Sequence, residues 1–166
     1  MKRILVSLLA FLSTFAYGEP FKGTASWQAT GNPGMVKIDG EGGLVTGTVT
    51  RDGGKVAGTF ECPLKDFQTG IDTRDHHMRE KYLDTAKFPV AQLVLDPLAA
   101  TGGDWTGKLT LKGVTKPVKG TAKITGSAVD ATFSIQLADY PIGVPSFLGV
   151  TVAQDVTIHI TGASSK

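Results

Sequence analysis

Strict alternation of apolar and polar residues over most of the chain is the feature that most limits its fold. Val56, Gly58, Phe60, Cys62 and Leu64 fall on one side of a segment, and Ala57, Thr59, Glu61 and Lys65 on the other. Trp105, Gly107, Leu109 and Leu111 alternate in the same way with Thr106, Lys108, Thr110 and Lys112. Side chains on a strand point to opposite faces with period two, so each such segment has one dry face and one wet face. Almost no charge interrupts the dry faces, and no run of helices follows the strands to cover them. A sheet of this kind hides its dry side by curling around it. The expectation is an all-β fold, an antiparallel up-and-down barrel of about eight strands. Such a barrel is either filled by its own side chains or holds one small ligand.

Turn residues punctuate the strands. Arg51-Asp52-Gly53-Gly54 carries the Asp-Gly signature of a tight hairpin. Asn32-Pro33-Gly34, Gly102-Gly103 and Gly126-Ser127 mark further turns. Val36 with Ile38, and Leu44 to Thr50, read as two separate strands. Many glycines fall on dry faces, where they set corners or leave room for something inside.

One region breaks the period. Thr69 to Ala86 reads as helix, with its ordered part expected over about 72–84. Asp72 or Thr73 is placed to cap it, Asp75 lies in its first turn and is spaced to pair with Arg79, and Met78, Tyr82 and Leu83 form an apolar stripe. A single helix inserted into a barrel is well placed to cover one end. A second irregular stretch, Ala138 to Gly149, is apolar without period. Loops are normally polar, so it is either tucked under the barrel or lines an entrance.

The first residues resemble an export signal. Lys2 and Arg3 precede an apolar run from Ile4 to Phe15, and Ala16-Tyr17-Gly18 offers small residues for cleavage. The run is short of the roughly 20 residues that span a bilayer, so no transmembrane anchor is expected in the mature protein. The expected division is therefore 1–18 signal peptide and 19–166 barrel domain. The chain has 17 basic and 15 acidic residues, and without Lys2 and Arg3 the balance is even. A neutral domain lacks the electrostatic footprint of a nucleic-acid binder. Cys62 is the single cysteine. It lies on a dry face and reads as a small buried hydrophobe rather than a reactive thiol.

His76 and His77 are the candidates for chemistry. Neighbours on a helix point about 100° apart, so the pair does not chelate one ion readily. Asp72, His76 and Glu80 would supply a metal site only with help from elsewhere. The favoured reading leaves one histidine exposed and the other hydrogen-bonded at the sheet. No metalloprotease, redox-cysteine, nucleophile-elbow or phosphate-loop motif is present. The expectation is a protein that is not an enzyme and needs no cofactor or metal.

Several separated segments resemble the YceI-like family. Thr73-Arg74-Asp75-His76-His77-Met78, Tyr82-Leu83-Asp84 and Lys87-Phe88-Pro89 match its helical signature, and Leu109 to Val118 its second motif. Ala138-Asp139-Tyr140-Pro141-Ile142 and Gly149 to Ile160 are similar to its final section. The likeness spans about Val45 to Ile160, while the opening segment, Trp27 followed by Gln28-Ala29-Thr30, departs from the family pattern. The resemblance implies a lipocalin-like barrel, export to the periplasm, and an elongated interior tunnel for a long-chain isoprenoid or other amphiphilic lipid. The inward residues expected to line that tunnel are Phe60, Leu64, Leu93, Leu95, Leu109 and Leu111, with Phe133, Ile135 and Leu137. Met78, Tyr82 and Phe147 are expected at its rim. A homodimer is compatible with this reading. The competing reading is a structural or interaction protein whose barrel is solid.

Overall fold

The computed structural model describes residues 18–33 and 36–165. The expected signal peptide, apart from Gly18, lies outside the described residues, as does Gly34 of the first expected turn. Seven long strands follow one another: β1 (Glu19–Asn32), β2 (Val36–Asp52), β3 (Lys55–Pro63), β4 (Val90–Ala99), β5 (Gly102–Leu111), β6 (Val114–Thr125) and β7 (Ala128–Gln136). A two-residue strand β8 (Ser146–Phe147) and a long β9 (Val150–Ser164) complete the set. Each strand from β1 to β7 pairs antiparallel with the next, β7 pairs with β9, and β9 returns to β1. The result is a closed eight-stranded antiparallel barrel, with β8 a short flap hairpinned onto β9. Closure removes the sheet edges.

The two strands expected around Val36 and Leu44 are one. Thr24 pairs with Leu44 and Ser26 with Glu41, so Gly42 and Gly43 together face Ala25. This is a bulge, with φ of 100° and 109° at the two glycines. The extra residue reverses the inward parity, which is why Ile38 and Val45 are both buried and Leu44 is exposed. A second bulge at Asp96-Pro97, opposite Ala57, lets Leu98 face inward after Leu95. The Arg51–Gly54 hairpin forms as expected, with positive φ at Gly53 and Gly54.

The inserted helix is shorter and looser than a regular one. α1 spans Asp72–His77 and widens into a π-helical turn over Met78–Tyr82. Neither Asp72 nor Thr73 caps it, since Ile71 holds the cap position without a side-chain bond. Asp75, only 4% exposed, folds back instead, and its carboxylate accepts from the Thr69 N–H at 2.8 Å and from the Thr69 hydroxyl. Arg79 does not pair with Asp75. Its guanidinium donates to the Phe67 carbonyl at 2.9 Å. At the other end Lys112 donates to the Tyr82 carbonyl at 2.8 Å, a cation on the negative end of the helix. The helix is thereby laid across one mouth of the barrel. No helix among the described residues is long and apolar enough to cross a membrane.

Candidate functional site: an apolar cavity under the helix

Two halves of the barrel interior differ. Away from the helix, aromatic rings fill it. Phe21 meets Phe60 edge-to-face at 5.1 Å between ring centres, and Trp105 meets Phe133 likewise at 5.3 Å. These rings lie over glycines of the neighbouring strands. A Cβ on Gly47 would stand 2.8 Å from the Phe60 ring, one on Gly162 2.5 Å from the Phe21 ring, and one on Gly120 2.9 Å from that of Trp105. The inward glycines of this half are seats for rings, which leave only a void of about 60 Å³ among them. Arg51 closes this end, donating to Glu19 at 3.2 Å and to the Ser164 hydroxyl at 3.3 Å.

Under the helix the interior is hollow. A cavity of about 340 Å³ lies between β1, β2, β9, the helix and the 142–148 loop. Its walls include Ile38, Leu83, Leu111, Ile135, Val152 and Val156, all aliphatic. Two of the polar side chains that reach it are tied to neighbouring groups, whereas the buried Trp27 indole N–H has no partner among the described residues. Arg74 donates to the Thr69 hydroxyl at 2.7 Å and its carbonyl at 2.9 Å. The Tyr82 hydroxyl donates to the Ser146 carbonyl at 3.2 Å and accepts from its N–H at 2.9 Å. Val36, Ile71 and Leu148 line the cavity and are also exposed, which places its mouth between the start of β2, the residue before α1 and the β8–β9 turn.

Two smaller voids adjoin it in turn. One of about 80 Å³ shares Trp27, Phe67, Leu111 and Ile158 with the main cavity. The next, of about 60 Å³, shares Phe60 and Ile160 with the middle one. The residues expected from sequence distribute over all three. Met78, Tyr82, Leu111, Ile135, Leu137 and Phe147 line the main cavity. Leu109, Phe133 and Phe60 line the middle void, and Leu93 and Leu95 the far one. Leu64, 1% exposed, lines none of them; it begins a 3-10 turn (Leu64–Asp66) and donates its N–H to the Pro89 carbonyl at 2.9 Å. Sequence reasoning passed over the walls from β1, β2 and β9, chiefly Trp27, Ile38, Val150 and Val152. Their dry-face alternation was visible, but which end of the barrel they reach depends on the bulges.

The 138–149 stretch does both things its composition allowed. Tyr140 and Ile142 are tucked and buried, while Pro145 to Leu148 form part of the cavity wall. Burial, reinforced by Asp139, pushes the Tyr140 phenol up to about 12. Cys62 lines the middle void, and desolvation followed by the nearby Asp66 pushes its thiol up to about 11. The histidine expectation holds in one half: one histidine is exposed, but the other does not bond to the sheet. His76 places its Nε2 3.1 Å from the Glu80 carboxylate in the open, and His77 packs edge-on against Phe147 at 5.9 Å. Among the described residues no group of three His, Cys, Asp or Glu side chains converges as metal ligands.

Comparison with known proteins agrees with this geometry. Residues 20–163 match the model of the YceI-like domain. A UPF0312 protein of Pseudomonas syringae is 36% identical over 113 residues, 60% of this chain and 59% of the relative. Protein YceI of Escherichia coli is 44% identical over 116 residues, 59% of this chain and 60% of the relative. The matched region thus spans about six-tenths of the length of these relatives. Among solved structures, a polyisoprenoid binding domain from Saccharophagus degradans superposes with a TM-score of 0.65 at 16% identity, covering 87% of this chain and 97% of that one. BcnA of Burkholderia cenocepacia superposes with a TM-score of 0.67 at 22% identity, covering 85% and 96%. These two likenesses concern the fold. With the family match running through nearly every strand of the barrel, the chain belongs to the YceI-like family.

Proposed function

We propose that this protein binds an isoprenoid or similar amphiphilic lipid in the cavity under the helix and sequesters or carries it through the periplasm, without catalysing a reaction. The observation that carries this reading is the 340 Å³ cavity with apolar walls and an exposed apolar mouth. Its size falls within the roughly 300–1,000 Å³ of small-molecule sites. Removing a hydrocarbon tail from water gains roughly 25 cal/mol per Å², so affinity needs few polar contacts, and the polar groups at the rim suit a head group left near solvent. The polyisoprenoid binding of the Saccharophagus domain supports the ligand class. The basic-apolar-small order of the first 18 residues supports export.

Organic extraction of the purified mature protein, followed by mass spectrometry, tests the proposal. One amphiphile in stoichiometric amount is the expected result. An empty extract, with no uptake of an added isoprenoid alcohol, overturns it and favours a barrel that acts through protein contacts.

A further inference from the structure

The main void adjoins the middle one at Trp27, Phe67, Leu111 and Ile158, the middle one adjoins the far one, and their sizes are about 340, 80 and 60 Å³. Between the middle and far voids stand Phe60 and Ile160. The Phe60 ring is held on several sides. Gly47 and Gly58 lie so close to it that a Cβ on either would approach to 2.8 and 2.9 Å, and Phe21 meets it edge-to-face at 5.1 Å. Phe21 is itself 2% exposed. Two glycine backbones and the Phe21 ring hold the Phe60 ring in place between the two voids it borders.

We propose that Phe60 is the end wall of the tunnel and sets the length of the ligand. The inference rests on the lipid-binding reading and narrows it. The main and middle voids together hold a chain of about ten to fifteen carbons, taking roughly 30 Å³ for each water-sized group. A longer chain leaves its excess outside the barrel, where it adds nothing to binding. Each further CH2 inside strengthens binding about fourfold. The dependence of affinity on chain length therefore has a break, at the carbon that reaches Phe60.

Linear fatty alcohols of eight to twenty carbons, competed against a fluorescent fatty-acid probe, locate that break. For the wild-type protein, affinity is expected to climb about fourfold per carbon and flatten between about ten and fifteen carbons. Phe60→Ala joins the far void to the tunnel and moves the break outward by about five carbons. Phe60→Leu, which keeps more of the wall, shifts it less and guards against loss of the fold. A wild-type profile that climbs unbroken to twenty carbons overturns the end wall, as does either folded variant with an unmoved break. Failure of every alcohol in the series to bind overturns the lipid-binding reading itself, and the inference with it.

Discussion

Gly120 offers a test in which two explanations of the inward glycines predict opposite signs. If Gly120 merely relaxes a strand, Ala in its place reduces the freedom of the unfolded chain and stabilises by about 0.5–1 kcal/mol. If it is a seat, the added methyl meets the Thr132 carbonyl oxygen at 2.3 Å, the Phe133 Cβ at 2.7 Å and the Trp105 ring at 2.9 Å. All three are shorter than real contacts allow, and two of the neighbours are main chain or attached directly to it. Something must move: Trp105 borders the void of about 60 Å³ and Phe133 that of about 80 Å³, but the Thr132 carbonyl belongs to the main chain of β7 and shifts only with its strand. Overpacking of this kind costs about 1–3 kcal/mol. At about 2–4 °C per kcal/mol for a domain of this size, Gly120→Ala lowers the melting temperature by about 2–12 °C. Calorimetry on delipidated protein measures it without a ligand contribution. An unchanged or raised melting temperature refutes the claim that rings fill this half of the barrel.

Three further outcomes concern the open half. Leu148 is 87% exposed and has φ 49°, ahead of Gly149 at φ 81°, a turn for which Asn-Gly is the favourable pair; Leu148→Asn should add about 1 kcal/mol of stability while weakening ligand retention, and a fall in melting temperature contradicts the strain. Asp75→Asn weakens a charged acceptor of two bonds from Thr69 and should cost about 1.5–3 kcal/mol, visible as faster hydrogen exchange over 72–82 than over β5; equal exchange counts against a tie at that point. The Cys62 thiol, its pKa raised from 9.0 to about 11, holds its proton more tightly folded than unfolded, so its contribution to stability is fully present below pH 9 and lost as pH rises from 9 to 11; thiolate absorbance with Cys62→Ser as blank should show a midpoint near 11, and one below 9 means the thiol is not desolvated.

Strand existence was legible because period two is a local property. Val56 to Leu64 and Trp105 to Leu111 could be assigned a dry face with no knowledge of their neighbours. Parity across a bulge was not legible. The Gly42-Gly43 pair looked like a break between strands because nothing local says that an extra residue will be absorbed opposite Ala25. The contents of the barrel were hidden for a similar reason. An inward glycine announces a missing side chain, but what lies over it depends on register: Phe133 pairs with Gly120, and Gly120 in turn with Trp105. The helix shows the limit of spacing rules. Asp75 and Arg79 are correctly spaced for a pair, yet each finds a backbone or hydroxyl partner outside the helix, Asp75 at Thr69 and Arg79 at Phe67. Tertiary anchoring outweighed an exposed ion pair worth a few tenths of a kcal/mol.

The division into a filled and a hollow half has an energetic reason. Engineered cavities cost about 24 cal/mol per Å³, so a void of about 340 Å³, were it closed and empty, would cost on the order of 8 kcal/mol. That is comparable to the whole stability of an ordinary domain, roughly 5–15 kcal/mol. A barrel hollow along its full length would be close to unfolding when empty. Here the ring pairs Phe21–Phe60 and Trp105–Phe133, with the Arg51–Glu19–Ser164 network beneath them, are gathered at one end. The hollow end is held differently, by Asp75 on Thr69, Arg79 on the Phe67 carbonyl, Tyr82 on Ser146 and Lys112 on the Tyr82 carbonyl. Such bonds can part and re-form in water without repacking a core, which is what a cover over a cavity requires. A lipid that fills the void returns part of its cost, so stability and affinity are one free energy measured at two places. Substitutions of Trp105, which borders neither the main nor the middle void, therefore change melting temperature and leave the gain on adding lipid as it was. Substitutions at the helix and the β8–β9 turn change both.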